Sequence, residues 1–570
     1  MSQRILRGVP VVGGVAVGHC WWLRSAATLD PMEAEEVPGD PFDRLERARA
    51  AARMELEQLI ASARGRLPES EIAILHAQLL MIDDPELERV YREGIEQGKA
   101  PAVSWQDAVR TFHQVLSSLP DPTLQARAAD VEDIGARVLR HLTGASASPA
   151  MPASPVILCA HDLAPSELVA FPPERLLGIA LAGGGPTSHV AILARALGVP
   201  TIMGLGESLH AVTEGAFILL DGNDGRLVVD PDPEEVREVL AVQQARDAEQ
   251  HRALQQRLEP ARTRDGYQVE VGANVGRPEE AHVAVSAGAD GIGLLRTEFL
   301  FVDREAPPTE TEQERALRTI LEALDGRPLV VRTLDIGGDK PVPYLPLPKE
   351  SNPFLGLRGL RLLRRHEELL CTQLRVLLRL GYADLRIMFP MVATLDEFHW
   401  ARAVTGAIVQ ELEAAGQRVA PFQLGMMVEV PAAALLAEQF AKEVDFFSIG
   451  TNDLTQYVLA ADRGHPELGD YQDPLHPAVL RLIAHVCKAA HAEGRWVGVC
   501  GEAAGDRLAV PILIGLGVDE LSVAPSLVAS IKDEVRQWSL EAAREVARAA
   551  LGLSDAQEVR MLVAEARARS

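Results

Sequence analysis

Residues 425–453, GMMVEVPAAALLAEQFAKEVDFFSIGTND, hold one complete alternation of strand and helix. The runs 425–430 and 446–449 are short and apolar, as expected of strands buried on both faces of a parallel sheet. An acid accompanies each strand, Glu429 on the first and Asp453 just beyond the second. Neighbouring strands lie about 4.8 Å apart, so carboxylates one unit apart can reach a single cation. Two carboxylates with open water positions suit Mg2+. Read alone, either acid is equally well a structural hydrogen-bond acceptor.

The same alternation extends outward in both directions. Strands are expected at 269–275, 291–295, 329–334 and 385–390 before this unit, and at 496–500 and 520–523 after it. Eight strand–helix units over residues 261–570 predict a (β/α)8 barrel. An open doubly wound sheet is the rival arrangement. The barrel is preferred because polar residues repeatedly follow the strands: Arg296, Arg332, Glu429, Asn452 and Cys500. Barrel sites collect at that carboxyl end. Arg358 and Arg463 lie in loops above the strands, and Lys340 stands in a GGDK loop. Guanidinium forks bind phosphate and carboxylate in bidentate fashion. One such arginine is readily a surface ion-pair partner; several at one barrel mouth call for a small ligand with several negative charges.

The amino-terminal half has a different texture. Residues 1–24 are rich in Gly and Val and read as strands too short to fold alone, whereas 25–144 switch to helical periodicity, as in Leu45, Ala48, Ala52, Leu56, Leu59 and Ile60. A helical bundle is expected there. Strands return at 156–159, 177–181 and 217–221, so residues 1–24 and 145–230 predict one α/β domain interrupted by the bundle. The polar stretch 231–260 reads as a linker helix.

Within the α/β block stands LAGGGPTSH, residues 181–189, followed by the apolar helix VAILARALG. The glycines permit a tight backbone whose amides form an anion nest. His189 falls at the helix start, where free amides and the dipole favour a phosphoryl group. Thr187 or Ser188 is the expected cap. A histidine beside glycines is, by itself, usually a structural residue.

Composition limits the function classes. The chain has 570 residues and a net charge of −25, too long for one core and too acidic to favour nucleic acid or anionic membranes. An acidic surface suits a partner with a basic docking face. No apolar run approaches the length of a membrane span. The five cysteines, Cys20, Cys159, Cys371, Cys487 and Cys500, form no CxxC pair, which predicts neither a disulfide framework nor a thiolate zinc site and fits a cytoplasmic location.

Several of these segments carry a resemblance. DFFSIGTNDLTQYVLAADR (445–463) resembles the signature of phosphoenolpyruvate-utilising enzymes. RTEFLFVDREAPPTE (296–310), RTLDIGGDK (332–340) and NPFLGLRGLR (352–361) are similar to Enzyme I of the bacterial sugar phosphotransferase system, and the likeness covers nearly the whole chain. The resemblance implies Mg2+ on Glu429 and Asp453. It implies phosphoenolpyruvate held by Arg296, Arg332, Asn452 and Arg463; the other cations of the barrel mouth, Lys340 and Arg358, and Asp453 are counted with the substrate set. Cys500, in VCGEAAGD, would protonate the enolate to release pyruvate. A thiol of ordinary pKa about 8.5 is protonated at neutral pH and is chemically able to do so.

By the same resemblance, GGxTSH is the phosphohistidine site. His189 would take the phosphoryl group from phosphoenolpyruvate and pass it to the histidine phosphocarrier protein HPr, the first step of the phosphotransferase system. SEIAILHAQLLMIDDPELERV (70–90) resembles the segment that docks HPr. There Leu79, Leu80 and His76 would form an apolar centre, with Glu71, Asp84 and Glu86 around it. The barrel would be the homodimerisation module. Because His189 must serve a barrel substrate and a bundle-bound partner, a swivel of the α/β domain about 231–260 is expected.

Two positions depart from the family pattern: Val190 and Ala164 stand where hydroxyl residues are common. A pyruvate dikinase or phosphoenolpyruvate synthase would need a large ATP-binding domain that the mostly helical stretch before 145 has no room for. A silent regulator that binds phosphoenolpyruvate or a carrier without turnover is the alternative of another class; the acids, the arginines and Cys500 argue against it.

Overall fold

Among the described residues the helices of the inserted bundle are α1 (Pro41–Ala63), α2 (Glu69–Ile82), α3 (Pro85–Glu96), α4 (Pro101–Ser117) and α5 (Pro122–Thr143). Four of them open on proline, whose fixed φ and missing N–H suit the first helical position. Asp40 and Asp84 cap α1 and α3, each accepting from two backbone N–H groups of the first turn. In α1 the expected stripe Leu45, Ala48, Ala52, Leu56 and Ile60 is buried. The computed structural model describes residues 4–23, 39–64, 67, 69–118, 122–144, 152, 154–186, 188–302, 304–337, 342–345 and 350–569. The expected residues Thr187 and Lys340 therefore lie outside the described residues.

The chain divides into two units, Met1–Asp247 and Ala248–Ser570. The sheet of the first unit contains β1 (Arg4–Arg7), β2 (Val9–Val12), β3 (Val15–Trp22), β4 (Val156–Ala160), β5 (Leu176–Leu181), β6 (Thr201–Met203), β7 (Phe217–Asp221) and β8 (Arg226–Val229). Their spatial order is β1-β8-β7-β3-β4-β5-β6-β2. Strand β3 pairs antiparallel with β7 and parallel with β4, so the strands before and after the bundle share one sheet. The alternation in β4 shows how both faces are filled. Ile157 and Cys159 enter the core on one face, while Val156, Leu158 and Ala160 join a core that runs on into the bundle. Helices α6 (Pro165–Ala170) and α7 (His189–Leu197) cover that second face, and α2 and α5 pack against them.

Helix α8 (Pro233–Gln255) is polar, and its buried residue is Ala253. The division between the two units falls within it.

In the second unit, the antiparallel β9 (Ala261–Arg262) leads into β10 (Gln268–Val275). There follow β11 (Ile292–Arg296), β12 (Leu329–Arg332), β13 (Leu385–Phe389), β14 (Phe422–Val428), β15 (Phe446–Ile449), β16 (Trp496–Val499) and β17 (Glu520–Val523). Each pairs parallel with the next, and β17 returns to β10. This is a closed eight-stranded parallel barrel, and every expected strand is present. Leu294, Val330, Met388, Met427, Phe446 and Cys500 form one buried cluster. Their strand neighbours Leu295, Val331, Ile387 and Phe447 belong instead to the core shared with the helices. Alternate residues thus serve the barrel interior and the outer shell, which is why the strands read as unbroken apolar runs.

Candidate functional site

At the carboxyl end of the barrel, Arg296 and Arg332 terminate β11 and β12, and Glu429 and Cys500 directly follow β14 and β16. Asn452 and Asp453 open the helix Thr451–Leu459 after β15. The buried guanidiniums are ion-paired. Arg358 forms a double fork, with Nε and Nη2 each 3.1 Å from an Asp335 oxygen and Nη1 and Nη2 at 2.8 and 3.2 Å from Asp453. Arg332 donates from Nη2 to Glu298 at 2.9 Å and pairs with Asp335 at 3.1 Å. Arg463 reaches Asp453 at 3.4 Å. Burial opposes the charge of Arg332 and Arg358, but these carboxylates more than offset it and hold both guanidiniums charged. Among the described residues Arg332 Nε is buried with no hydrogen-bond partner, an orphan donor of the kind a ligand satisfies.

Glu429 accepts from the Met391 backbone N–H at 2.9 Å. Burial, with Asp453 and Asp335 close by, pushes its carboxyl well above the usual range, against the pull of Arg332 and Arg358. Such a group of buried carboxylates offers oxygen donors only, which fits a hard divalent cation.

Cys500 is 4% exposed. Ser448 Oγ donates to its sulfur at 3.3 Å. Burial pushes the thiol up to about 11, although Ser448, Arg332 and Arg296 pull the other way. The group is therefore a protonated acid at neutral pH. Asn274 Nδ2 donates to the Cys500 carbonyl at 3.1 Å and itself accepts from Ser522 at 2.7 Å. Asn452 is held by a reciprocal pair with Glu502, at 3.0 and 2.8 Å. Asn274, Arg296, Asn452, Cys500 and Glu502 line a common cavity of about 700 Å³. Arg296 is exposed at its edge.

In the first unit, His189 is the first residue of α7. Ser188 caps the helix, its Oγ accepting from Ala191 N at 3.2 Å, and Gly184 takes φ +78°, which a side chain would disfavour. The imidazole is turned toward the bundle, with Nδ1 3.3 Å from Asp130 Oδ2 of α5. Asp130 is fully buried and also accepts from Gln78 at 3.1 Å and Arg127 at 3.2 Å. One turn on, Asp133 accepts from Ser166 Oγ at 2.8 Å. The ring nitrogen that faces Asp130, whose carboxylate only accepts, is Nδ1, and Nε2 is the nitrogen turned away from it.

Both departures from the family pattern have local explanations. Val190 is 5% exposed and packed in the core, so a hydroxyl there would be buried in apolar surroundings. Ala164 caps α6 without a side-chain acceptor, its N–H bonded to Glu167 at 2.9 Å. The carboxylate beside the histidine is that of Asp130. On α2, Leu80 is 76% exposed, His76 is exposed and Leu79 half-buried.

The residues that sequence reading missed are Asp130, Gln78, Glu298, Asp335 and Asn274. Glu298 and Asp335 lay inside quoted motifs, as acids following Arg296 and Arg332. Asp130 gave no signal, because AADVED reads as a solvated helix face.

Three family profiles match the chain: PEP-utilising enzyme, N-terminal, over 7–127; PEP-utilising enzyme, mobile domain, over 152–225; and PEP-utilising enzyme, PEP-binding domain, over 250–540. A phosphoenolpyruvate-protein phosphotransferase of Bacillus sp. (strain S) is 42% identical over 98% of this chain and 97% of its own. One from Geobacillus stearothermophilus has the same identity and coverage. A multiphosphoryl transfer protein of Xanthomonas campestris is 43% identical over 99% of this chain and 67% of its own.

Proposed function

The chain belongs to the phosphoenolpyruvate-utilising enzymes, and from that premise we propose that it moves the phosphoryl group of phosphoenolpyruvate to its own His189 and then to the carrier protein HPr. The observation that carries the reading is Cys500: a buried thiol, protonated at neutral pH, lining a cavity with Arg296 and Asn452.

Phosphoenolpyruvate carries a carboxylate and a phosphate. Arg296, Arg332, Arg358 and Arg463 bind and orient such an anion, and Asn452 is fixed beside them by Glu502. Glu429 and Asp453 are the residues that would hold Mg2+, which neutralises phosphoryl charge when bound. Lys340 of the GGDK motif joins the set on its sequence position alone. Loss of the phosphoryl group leaves an enolate whose carbon needs a proton, and Cys500 is the proposed donor, supported by its protonated thiol. His189 attacks through Nε2, with Nδ1 facing Asp130 at 3.3 Å. Phosphoryl transfer asks mainly for such positioning and charge neutralisation.

The bundle is the proposed HPr dock, centred on Leu80. The proposed domains are 1–24 with 145–230, the inserted 25–144, the linker 231–260 and the barrel 261–570. Pairing of two chains through the barrel follows from family likeness, and sedimentation of the full chain checks it. All five cysteines are free, in keeping with a reducing cytoplasm. Among the described residues no helix is long and apolar enough to cross a membrane.

The test is incubation with phosphate-labelled phosphoenolpyruvate and Mg2+, with and without HPr. Labelling of wild type, none of His189→Ala, and passage of label to HPr are expected. Labelling of His189→Ala would move the nucleophile elsewhere, and binding without label would favour the silent regulator.

A further inference from the structure

The carboxyl edge of the mixed sheet bears a second group of side chains that phosphoryl transfer does not use. His161 follows β4, while Glu207 and His210 lie in the 3-10 turn Gly206–Ala211 after β6. His161 Nδ1 and His210 Nε2 are 3.3 Å apart. A Glu207 carboxylate oxygen lies 3.8 Å from the same His210 nitrogen, and the three ligand atoms all fall within 4.8 Å of one another. Zn–N bonds of about 2.0–2.1 Å in tetrahedral geometry separate two ligand nitrogens by about 3.3 Å. The two imidazoles already stand at that spacing.

Their orientation is set by packing. Trp22 stacks on His210 at 5.4 Å and 15°, and His210 stacks on His161 at 5.5 Å and 13°. Trp22 is itself anchored by its Nε1–H to the Val212 carbonyl at 2.8 Å. All three candidate ligands are exposed, so an ion has an entry path and water can complete its coordination.

We propose that His161, Glu207 and His210 bind one divalent transition-metal ion of the zinc class. Two imidazoles and a carboxylate favour such an ion over Mg2+, which separates this site from the all-oxygen group in the barrel. The ion would brace the strand ends from which the His189 loop departs. Gly183 N donates to His161 O at 2.8 Å, Gly206 N to Ala182 O at 2.9 Å and Gly204 N to Gly183 O at 3.1 Å.

The full-length chain, stripped with chelator, is titrated with Zn2+ by calorimetry in millimolar Mg2+, and with Co2+ by visible absorption. One ion per chain is expected, with the intense bands of four-coordinate Co2+. Loss of a second-shell partner costs about 10–100-fold in affinity, so His161→Ala and His210→Ala should each lose at least that. Glu207→Gln, on a side chain 88% exposed, tests the third ligand without disturbing the fold and should weaken binding about tenfold. Zinc uptake that is absent in wild type, or equally tight in the histidine variants, overturns the proposal.

Discussion

His189 Nδ1 lies 3.3 Å from Asp130 Oδ2, a contact between the helix start of the α/β layer and the last helix of the inserted bundle. The histidine side chain is only 14% exposed as a result. The contact leaves Nε2 as the ring nitrogen away from Asp130, and it covers the residue proposed to exchange phosphoryl groups.

Asp130→Asn replaces a pure acceptor with a group that can donate, so the Nδ1–H is no longer required. Orientation and proton placement are commonly worth about 10²–10⁴ in rate. Rapid-quench labelling by phosphoenolpyruvate should slow by at least about a hundredfold, with the melting temperature checked in parallel. An unchanged rate in a folded variant removes Asp130 from the mechanism.

A reversible cross-link between positions 133 and 166 tests the covered state. Ser166 Oγ and Asp133 Oδ1 are 2.8 Å apart, so joining these positions holds His189 on the bundle. Labelling by phosphoenolpyruvate should stop on oxidation and return on reduction, while transfer between a previously phosphorylated chain and HPr continues. Normal rates for both steps in the oxidised form would show that no swivel is needed.

Cys500→Ala removes the proposed acid but leaves the arginines. Pyruvate formation should fall by about 10²–10⁴-fold, with a much smaller change in affinity for phosphoenolpyruvate. A larger effect on binding than on turnover would reassign Cys500 to packing.

Leu80→Asp places a charge on a side chain that is 76% exposed. Interface anchors are worth about 2 kcal/mol or more, so transfer to HPr should weaken at least about thirtyfold. Labelling of His189 should be unaffected; loss of both activities would mean that the bundle itself had been damaged.

Glu520 of β17 provides a pH signature independent of catalysis. Burial pushes its carboxyl up to about 8, with Glu270 reinforcing the shift and Arg386 opposing it. An unfolded glutamate titrates near 4.3, so the native state binds the proton more tightly. Its stabilising contribution is full below about pH 4.3 and is lost as pH rises through about 8. Glu520→Gln should therefore gain in melting temperature over wild type across that window, the gap widening with pH. A gap that is constant with pH refutes this assignment.

The barrel was legible in the sequence because its cause is local. Strands buried on both faces must be apolar throughout, and their ends must be polar where they open onto a site; Arg296, Arg332, Glu429 and Cys500 all mark such ends. His189 at a helix start was legible for the same reason, through glycines and a cap adjacent in sequence. The partners of these groups were not. That Arg358 grips Asp335 and Asp453 together, or that Asp130 faces His189, depends on which elements pack side by side. Periodicity along the chain determined the elements and the chemistry they carry. The choice of ion-pair partner belonged to tertiary packing alone, because buried charges pair with whatever opposite charge the fold brings within a few ångströms.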